Sequence, residues 1–355
     1  MEINELLNLT IQNNASDLHL LPGLSPTVRI DGALSPLSNH PALTVEEVQN
    51  LIFSLLTNEQ RDLLTNNKEF DFSVDFEGPD GTSLGRFRVN AYYQKEGLCG
   101  AFRFLPISIK TIEDLRLPKV LHSFSSLKQG FILVTGPTGH GKSTTLASII
   151  NEINLSRPVH ILTVEDPIEY VYPKGKSIVS QRELSKDTHS WGKALRSALR
   201  EDPDVVLVGE MRDPETISAA ITIAETGHLV FSTLHTNSAS QSVDRIIDSF
   251  PPHQQAQIRI QLASTLKGII SQRLLPKIQG GRIPAVEVLI GNSAVATNIR
   301  EGKTHLIDSI IQTSSDSGMI TLETSLAQLV LAGDISLETA KGYSLHTEEL
   351  LRLVG

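Results

Sequence analysis

Cysteine is almost missing from this chain. Cys99 stands alone among 355 residues, so no internal disulfide and no cysteine-built zinc cluster can form, which fits a reducing compartment. Long hydrophobic runs are missing too. The longest uninterrupted ones are of the length of FILV (131–134), far short of the ~18 residues a membrane helix needs. The amino-terminal MEINELLNLT lacks the basic start and continuous apolar stretch of a secretory signal, so a cytoplasmic location is expected. An excess of basic charge is the third absence. With 31 Lys and Arg against 40 Asp and Glu, the net charge is -9, which argues against non-specific wrapping of nucleic acid but leaves room for a local basic patch. What is present is ordinary for a globular protein: 40% hydrophobic and 20% charged residues. At ~150 residues per domain, the length predicts two domains, each burying its own core.

The first hundred residues predict a small α+β domain, placed at 1–105. Strand-like runs occupy 17–21 and 27–30, with a turn at Asp31-Gly32. Thr44 and Glu47 form a capping box before a helix ending near Leu56. In the strand 85–93, alternation puts Arg86, Arg88 and Asn90 on one face and Phe87, Val89 and Ala91 on the other. In 98–105, Arg103 shares a face with Ala101 and Leu105, opposite Phe102 and Phe104. This arginine-bearing face is equally compatible with a solvated surface and with a phosphate or subunit contact.

Residues 106–129, with Pro106 and Pro118, read as a linker. From 130 to 355 the pattern becomes strands alternating with helices. Apolar runs at 131–136, 160–166, 205–210 and 229–235 are separated by helix-period segments such as Leu146, Ile149, Ile150 and Ile153. Short buried strands between helices imply a mostly parallel sheet covered on both faces. Beyond Pro252 the expectation is helix, apart from a strand at 283–290. No internal repeat or low-complexity tract is present.

The segment GPTGHGKS (136–143) fits G-x-x-x-x-G-K-[ST], a match expected by chance on the order of once in a hundred such chains. It follows an apolar strand and opens a helix. There the glycines let backbone N–H groups face phosphate oxygens, and the helix N-terminus adds its positive pole. Gly136, Thr138, Gly139, Gly141, Lys142, Ser143 and Thr144 are therefore the expected ATP contacts. Lys142 would reach the β and γ phosphates, and Ser143 would hold Mg²⁺. Turnover also needs a carboxylate to orient water, usually at a neighbouring strand end. Glu210 and Glu165 stand there, the latter followed by Asp166; at 209, where many P-loop enzymes carry an aspartate, this chain has Gly209. His228 and His235 flank one strand at ~23 Å separation, too far apart for a shared metal. Each is compatible with phosphate sensing or with a hydrogen bond inside the sheet. Arg196, Arg200 and Arg212 fit either transition-state support or an ion-pair network with Glu201, Asp202, Asp204 and Asp213.

Together GPTGHGKSTT (136–145), TVEDPIEY (163–170), LRSALREDPDVVLVGEMRD (195–213) and AETGHLVFSTLHT (224–236) resemble the Walker A, Asp box, Walker B and His box of the secretion-superfamily hexameric ATPases. ASDLHL (15–20) and GRFRVNAYYQ (85–94) narrow the resemblance to the PilT family of pilus-retraction motors. The resemblance implies an α/β architecture, with a RecA-like P-loop ATPase domain preceded by a PAS-like N-terminal domain. It further implies a homo-hexamer that binds ATP and Mg²⁺ and retracts type IV pili. Its partners would be an inner-membrane platform protein and a PilU-like paralogue, with no direct nucleic acid, and it would sit peripherally at the inner membrane. Glu210 would take the catalytic role, Glu165 and Asp166 the Asp-box role, and His228 and His235 the His-box role. Arg86, Arg88 and Arg103 would contact nucleotide or the subunit interface. The lone cysteine separates the chain from assembly relatives that commonly carry a four-cysteine zinc insertion. The alternatives are a PilU-like accessory motor, a nucleotide-gated ring without turnover, and a DNA-uptake motor. Two departures stand out. His140 replaces the usual serine of the loop, with little consequence expected. AVATNIRE (294–301) matches the retraction-associated AIRNLIRE at four of eight places, with Ala296 in place of its first arginine.

Overall fold

The computed structural model describes residues 2–30, 32–37, 39–77, 83–95, 97–106 and 108–355. It forms two compact units, Met1–Ser108 with Glu169–Val171, and Ile109–Ile168 with Tyr172–Gly355. Among the described residues no helix is long and apolar enough to cross a membrane.

The first unit runs α1 (Ile3–Gln12), β1 (Asp17–Leu20), β2 (Thr27–Ile30), β3 (Ala33–Pro36), α2 (Val45–Phe53), α3 (Asn58–Asn67), β4 (Glu69–Glu77), β5 (Ser83–Gln94) and β6 (Gly97–Pro106). Among the described residues six strands order as β3-β2-β1-β6-β5-β4, with every pairing antiparallel. The period-2 pattern holds: Leu18, Val28, Phe87, Val89 and Phe102 are buried in one core with Leu6, Leu7, Val48, Ile52 and Leu64 from the helices. The Thr44–Glu47 capping box starts α2, and a second box, Thr57–Gln60, starts α3. Strands β3 and β4 and helix α3 add to the elements expected from sequence. In EFDFSVDFE the apolar residues alternate with polar ones, a signal that was there to be read. The Asp31-Gly32 turn falls at Asp31 outside the described residues.

The second unit continues α4 (Leu121–Ser125), β7 (Gly130–Thr135), α5 (Lys142–Ser156), β8 (His160–Glu165), β9 (Ile178–Glu183), α6 (Trp191–Ala198), β10 (Val205–Val208), α7 (Pro214–Glu225), β11 (Leu229–Leu234), α8 (Ala239–Asp248), α9 (Pro252–Thr265), β12 (Leu266–Pro276), β13 (Arg282–Ile290), α10 (Ser293–Arg300), α11 (Ile307–Thr313), α12 (Leu322–Leu331), α13 (Leu337–Tyr343) and α14 (Thr347–Val354). The seven-stranded sheet orders as β13-β12-β7-β11-β10-β8-β9. All its pairings are parallel except β12 with β13. Every residue of β7, β10 and β11 is buried, as a sheet covered on both faces requires.

Two sequence readings need correction here. Residues 266–276, read as part of a helical region, form β12. A run buried on both faces carries no period that tells strand from helix, and β12 is of this kind. Strand β9 was likewise unread. Residues 109–129, read as a linker, cluster with the second unit. They are tied to α5 and the residue that follows it. His122 lies 2.7 Å from Glu113 and 2.8 Å from Glu152, and Arg157 donates to the carbonyls of Ser125 and Leu127.

Candidate active site

In an open parallel sheet, chemistry collects beyond the C-terminal strand ends. Strands β7, β11, β10 and β8 are consecutive neighbours, and the segments leaving them carry the phosphate loop, His235, Glu210 and Glu165.

The loop from β7 to α5 needs glycine for conformational reasons. Gly136, Gly139 and Gly141 have φ of 139°, 80° and 81°, a region that side chains other than glycine adopt at a cost. At Gly136 space adds a second demand, since a Cβ there would come within 2.3 Å of the Gln272 carbonyl oxygen. Gly141 is also the N-cap of α5 and supplies no side-chain acceptor to the first turn, whereas Ser190, Asp213 and Ser238 cap α6, α7 and α8 with their side chains. The opening turn of α5 therefore suits an anion. Lys142 is buried, and its Nζ donates to the carbonyls of Gly136 at 2.9 Å and Pro137 at 3.1 Å. Ser143 and Thr144 follow, both half-buried.

Three of the predicted groups are linked in sequence across neighbouring strands. Thr138 Oγ1 in the loop lies 3.4 Å from His235 Nδ1, and His235 Nε2 lies 3.5 Å from Glu210 Oε2. The other carboxylate oxygen of Glu210 meets Arg212 Nη2 at 2.5 Å. Glu165 is buried and accepts hydrogen bonds from Thr163 Oγ1 at 2.7 Å and Gln181 Nε2 at 3.4 Å. The hydrogen bond from Arg212 to Glu210 and that carboxylate's charge raise the Arg212 pKa, and the exposed Asp166 adds to this. Gly209 has a packing reason: a Cβ there would stand 3.3 Å from both Glu165 Cα and the Val164 carbonyl oxygen. An aspartate at 209 would press on the β8 backbone.

Other predicted residues lie elsewhere. His228 precedes β11 at its start, one strand length from His235. Its Nδ1 is 3.0 Å from the Ile223 carbonyl and 3.0 Å from Thr226 Oγ1. The three arginines belong to the first unit. Arg86 is buried 3.1 Å from Asp75, and Arg103 donates to Asp17 at 2.9 Å. Arg88 stands opposite Arg103 in the register. Arg196 pairs with Glu215 at 2.9 Å instead of with the acids expected from sequence. Ala296 is partly buried on α10, packed against the second unit's core.

What sequence reading missed is β12. Gln272 Oε1 accepts from Thr145 Oγ1 at 2.7 Å, while its Nε2 donates to the His140 carbonyl at 2.7 Å. The Leu274 N–H donates to His140 Nδ1 at 3.1 Å. Arg273 donates to the Asn237 carbonyl at 3.1 Å and its Oδ1 at 3.0 Å, two residues past His235. A Ser-Gln-Arg triplet inside GIISQRLLP is the signal that could have found this brace, because polar side chains in a buried run need partners. The His140 side chain thus makes a contact that the loop motif, read through its backbone, did not announce.

Comparisons with known proteins agree on one family. That described as Type II/IV secretion system protein matches residues 2–331. The type IV pilus retraction ATPase PilT of Pseudomonas aeruginosa is 47% identical over 341 residues, covering 96% of this chain and 97% of its own length. The type IV pilus ATPase PilU of the same organism is 36% identical over 355 residues, covering 100% of this chain and 91% of its own. A crystal structure of the pilus retraction motor PilT with bound ADP superposes with a TM-score of 0.91 at 48% identity, covering 99% of both chains.

Proposed function

The chain belongs to the type II/IV secretion system protein family, and from that premise we propose that it is a ring-forming motor that couples hydrolysis of Mg-ATP to retraction of a type IV pilus. It is an ATPase whose second unit is the RecA-like domain. The observation that carries this reading is the Thr138–His235–Glu210 sequence of contacts. It sets a carboxylate and an imidazole from two strand ends against the phosphate loop of a third.

The loop residues Gly136, Thr138, Gly139, Gly141, Lys142, Ser143 and Thr144 hold the phosphates. Lys142 leaves the Gly136 and Pro137 carbonyls to meet the β and γ oxygens. Glu210 orients the attacking water and accepts its proton, and Arg212 keeps that carboxylate fixed. Glu165, at the end of β8, is held by Thr163 and Gln181. His235 touches both the loop and Glu210, so it is placed to register the γ-phosphate. The donors fit Mg²⁺, a hard cation that takes oxygen ligands and is commonly held by one or two protein groups plus phosphates. Ser143 supplies the hydroxyl, with Glu210, Glu165 and Asp166 nearby in the sheet order. Mg²⁺ would there neutralise charge on the phosphate oxygens.

The motor works as a homo-hexamer, in which Arg86, Arg88 and Arg103 serve as nucleotide or subunit contacts and His228 acts through the α7–β11 corner. Its partners are an inner-membrane pilus platform protein and a PilU-like paralogue, not nucleic acid. It is cytoplasmic and peripheral at the inner membrane. Two measurements test this. Steady-state phosphate release should depend on Mg²⁺ and vanish in Lys142→Ala. A deletion strain imaged for surface pili should be overloaded with filaments that do not retract, whereas bald cells would show the motor to be an assembly one.

A further inference from the structure

Strand β12 overshoots its neighbour. Its last pair with β7 is Ser271 with Thr135, after which β7 turns into the phosphate loop and the β12 edge has no strand beside it. A backbone N–H left without a partner on this half-buried edge would cost stability. The loop meets this need through His140: its Nδ1 accepts the Leu274 N–H at 3.1 Å, and its carbonyl accepts Gln272 Nε2 at 2.7 Å. The opposite end of the Gln272 amide accepts from Thr145 on α5 at 2.7 Å. One imidazole and one amide thus bind loop and helix to a single strand.

We propose that His140 is a positioning residue for ATP, its neutral imidazole fastening the phosphate loop to β12 in the form that receives phosphate. Only a ring with an unprotonated Nδ1 can accept the Leu274 N–H, since a proton there would oppose donor to donor. The surroundings favour that form. Burial, and then the charges of Arg273 on β12, Lys142 on α5 and Arg282 on β13, hold the imidazole below its ordinary pKa. From α13, Tyr343 places its ring 6.2 Å from that of His140. A serine would end its hydroxyl one atom short of the Nδ1 position, so this attachment needs an acceptor at the δ position of the side chain.

The inference rests on the loop being the ATP site, which the Lys142→Ala comparison tests separately. The experiment measures KM and kcat for Mg-ATP in the full-length protein, His140→Ala and His140→Asn, from pH 5.5 to 8.5. The asparagine Oδ1 takes the place of Nδ1 and keeps the acceptor without titrating. At pH 8, His140→Ala should raise KM about three- to tenfold with kcat within about twofold, as loss of one hydrogen bond predicts. His140→Asn should restore KM to within about twofold of the parent. The parent's KM should climb as the pH falls and the ring protonates, and in His140→Asn that climb should be missing. An alanine variant with parental KM, or an asparagine variant as impaired as alanine, overturns the proposal. So do identical pH profiles for the parent and His140→Asn, a comparison that holds even where the alanine variant fails to fold.

Discussion

The two sheets of this chain carry their polar residues in different places. In the first unit, charge lies on the sheet face itself: Arg29, Asp17, Arg103 and Arg88 stand directly opposite one another across four adjacent strands. In the second unit the central strands are buried and mostly apolar, and the groups proposed for catalysis sit at the strand ends in the phosphate loop, His235, Glu210 and Glu165. Where structure and charge share a face, removing a charge disturbs packing and electrostatics together. Where they are segregated along the strand, a reacting group can be exchanged while the core beneath it stays intact.

Glu210 gives the largest effect that tests this contrast. It is held by Arg212 and His235 and is not part of the apolar core. Glu210→Gln should cut phosphate release by about a thousandfold, within the range a general base supplies, while nucleotide affinity and Tm stay near the parent's. A variant that unfolds early would show that the strand ends are not separable from the core, and one that turns over normally would remove Glu210 from the base role.

The segregation is not complete, and Glu287 marks the exception. It sits on β13, buried, with Oε1 accepting the Ala239 N–H at the start of α8 at 2.6 Å. Burial pushes its carboxyl up to about 7; the Ala239 N–H opposes this, while Asp308 and Glu323 add to it. The native state therefore holds this proton more tightly than the unfolded chain does. Stability from this group is full below about pH 4.5, is lost as the pH rises, and levels off above about 7. Glu287→Gln keeps an acceptor for Ala239 and carries no charge. Its stability relative to the parent should be unchanged near pH 4.5 and better by about 3 kcal/mol at pH 8. A difference that stays constant with pH would show that burial does not raise the Glu287 pKa above its unfolded value.

The same contrast explains what was legible in the sequence. The alternation of Phe87, Val89 and Ala91 with Arg86, Arg88 and Asn90 announced β5, and glycine spacing with Lys142 and Ser143 announced the loop. Both are local patterns. Strand β12 was hidden because one of its two partners is remote: its parallel neighbour β7 lies about 135 residues earlier, as in Ser271 with Thr135, and its run is buried along nearly its whole length. The role of His140 was hidden with it, since the loop motif constrains that position through its backbone and says nothing of a side chain reaching to another strand. His228 and His235 looked equivalent at the two ends of one run. Parallel pairing sends only the C-terminal end of that run to the loop, so His235 meets Thr138 while His228 closes a helix corner.

Asp17 tests the first sheet, with the smallest effect. It is buried, and it is the acid between Arg103 at 2.9 Å and Arg29 at 3.9 Å. Beyond Arg103 the next residue in the row is Arg88, a like charge directly opposite, which is unfavourable. Asp17→Asn keeps the size and removes the charge that makes this row tolerable. Because the Arg103 side chain is 66% exposed, solvent screens much of the interaction, and the cost to stability should be only about 1 kcal/mol. If the row acts as a unit, Arg88→Ala should recover part of that loss, so that the double variant is more stable than the sum of the single ones allows, and added salt should shrink the gap. Strict additivity would mean that the face charges act independently, and the first sheet would then resemble the second more closely than its register suggests.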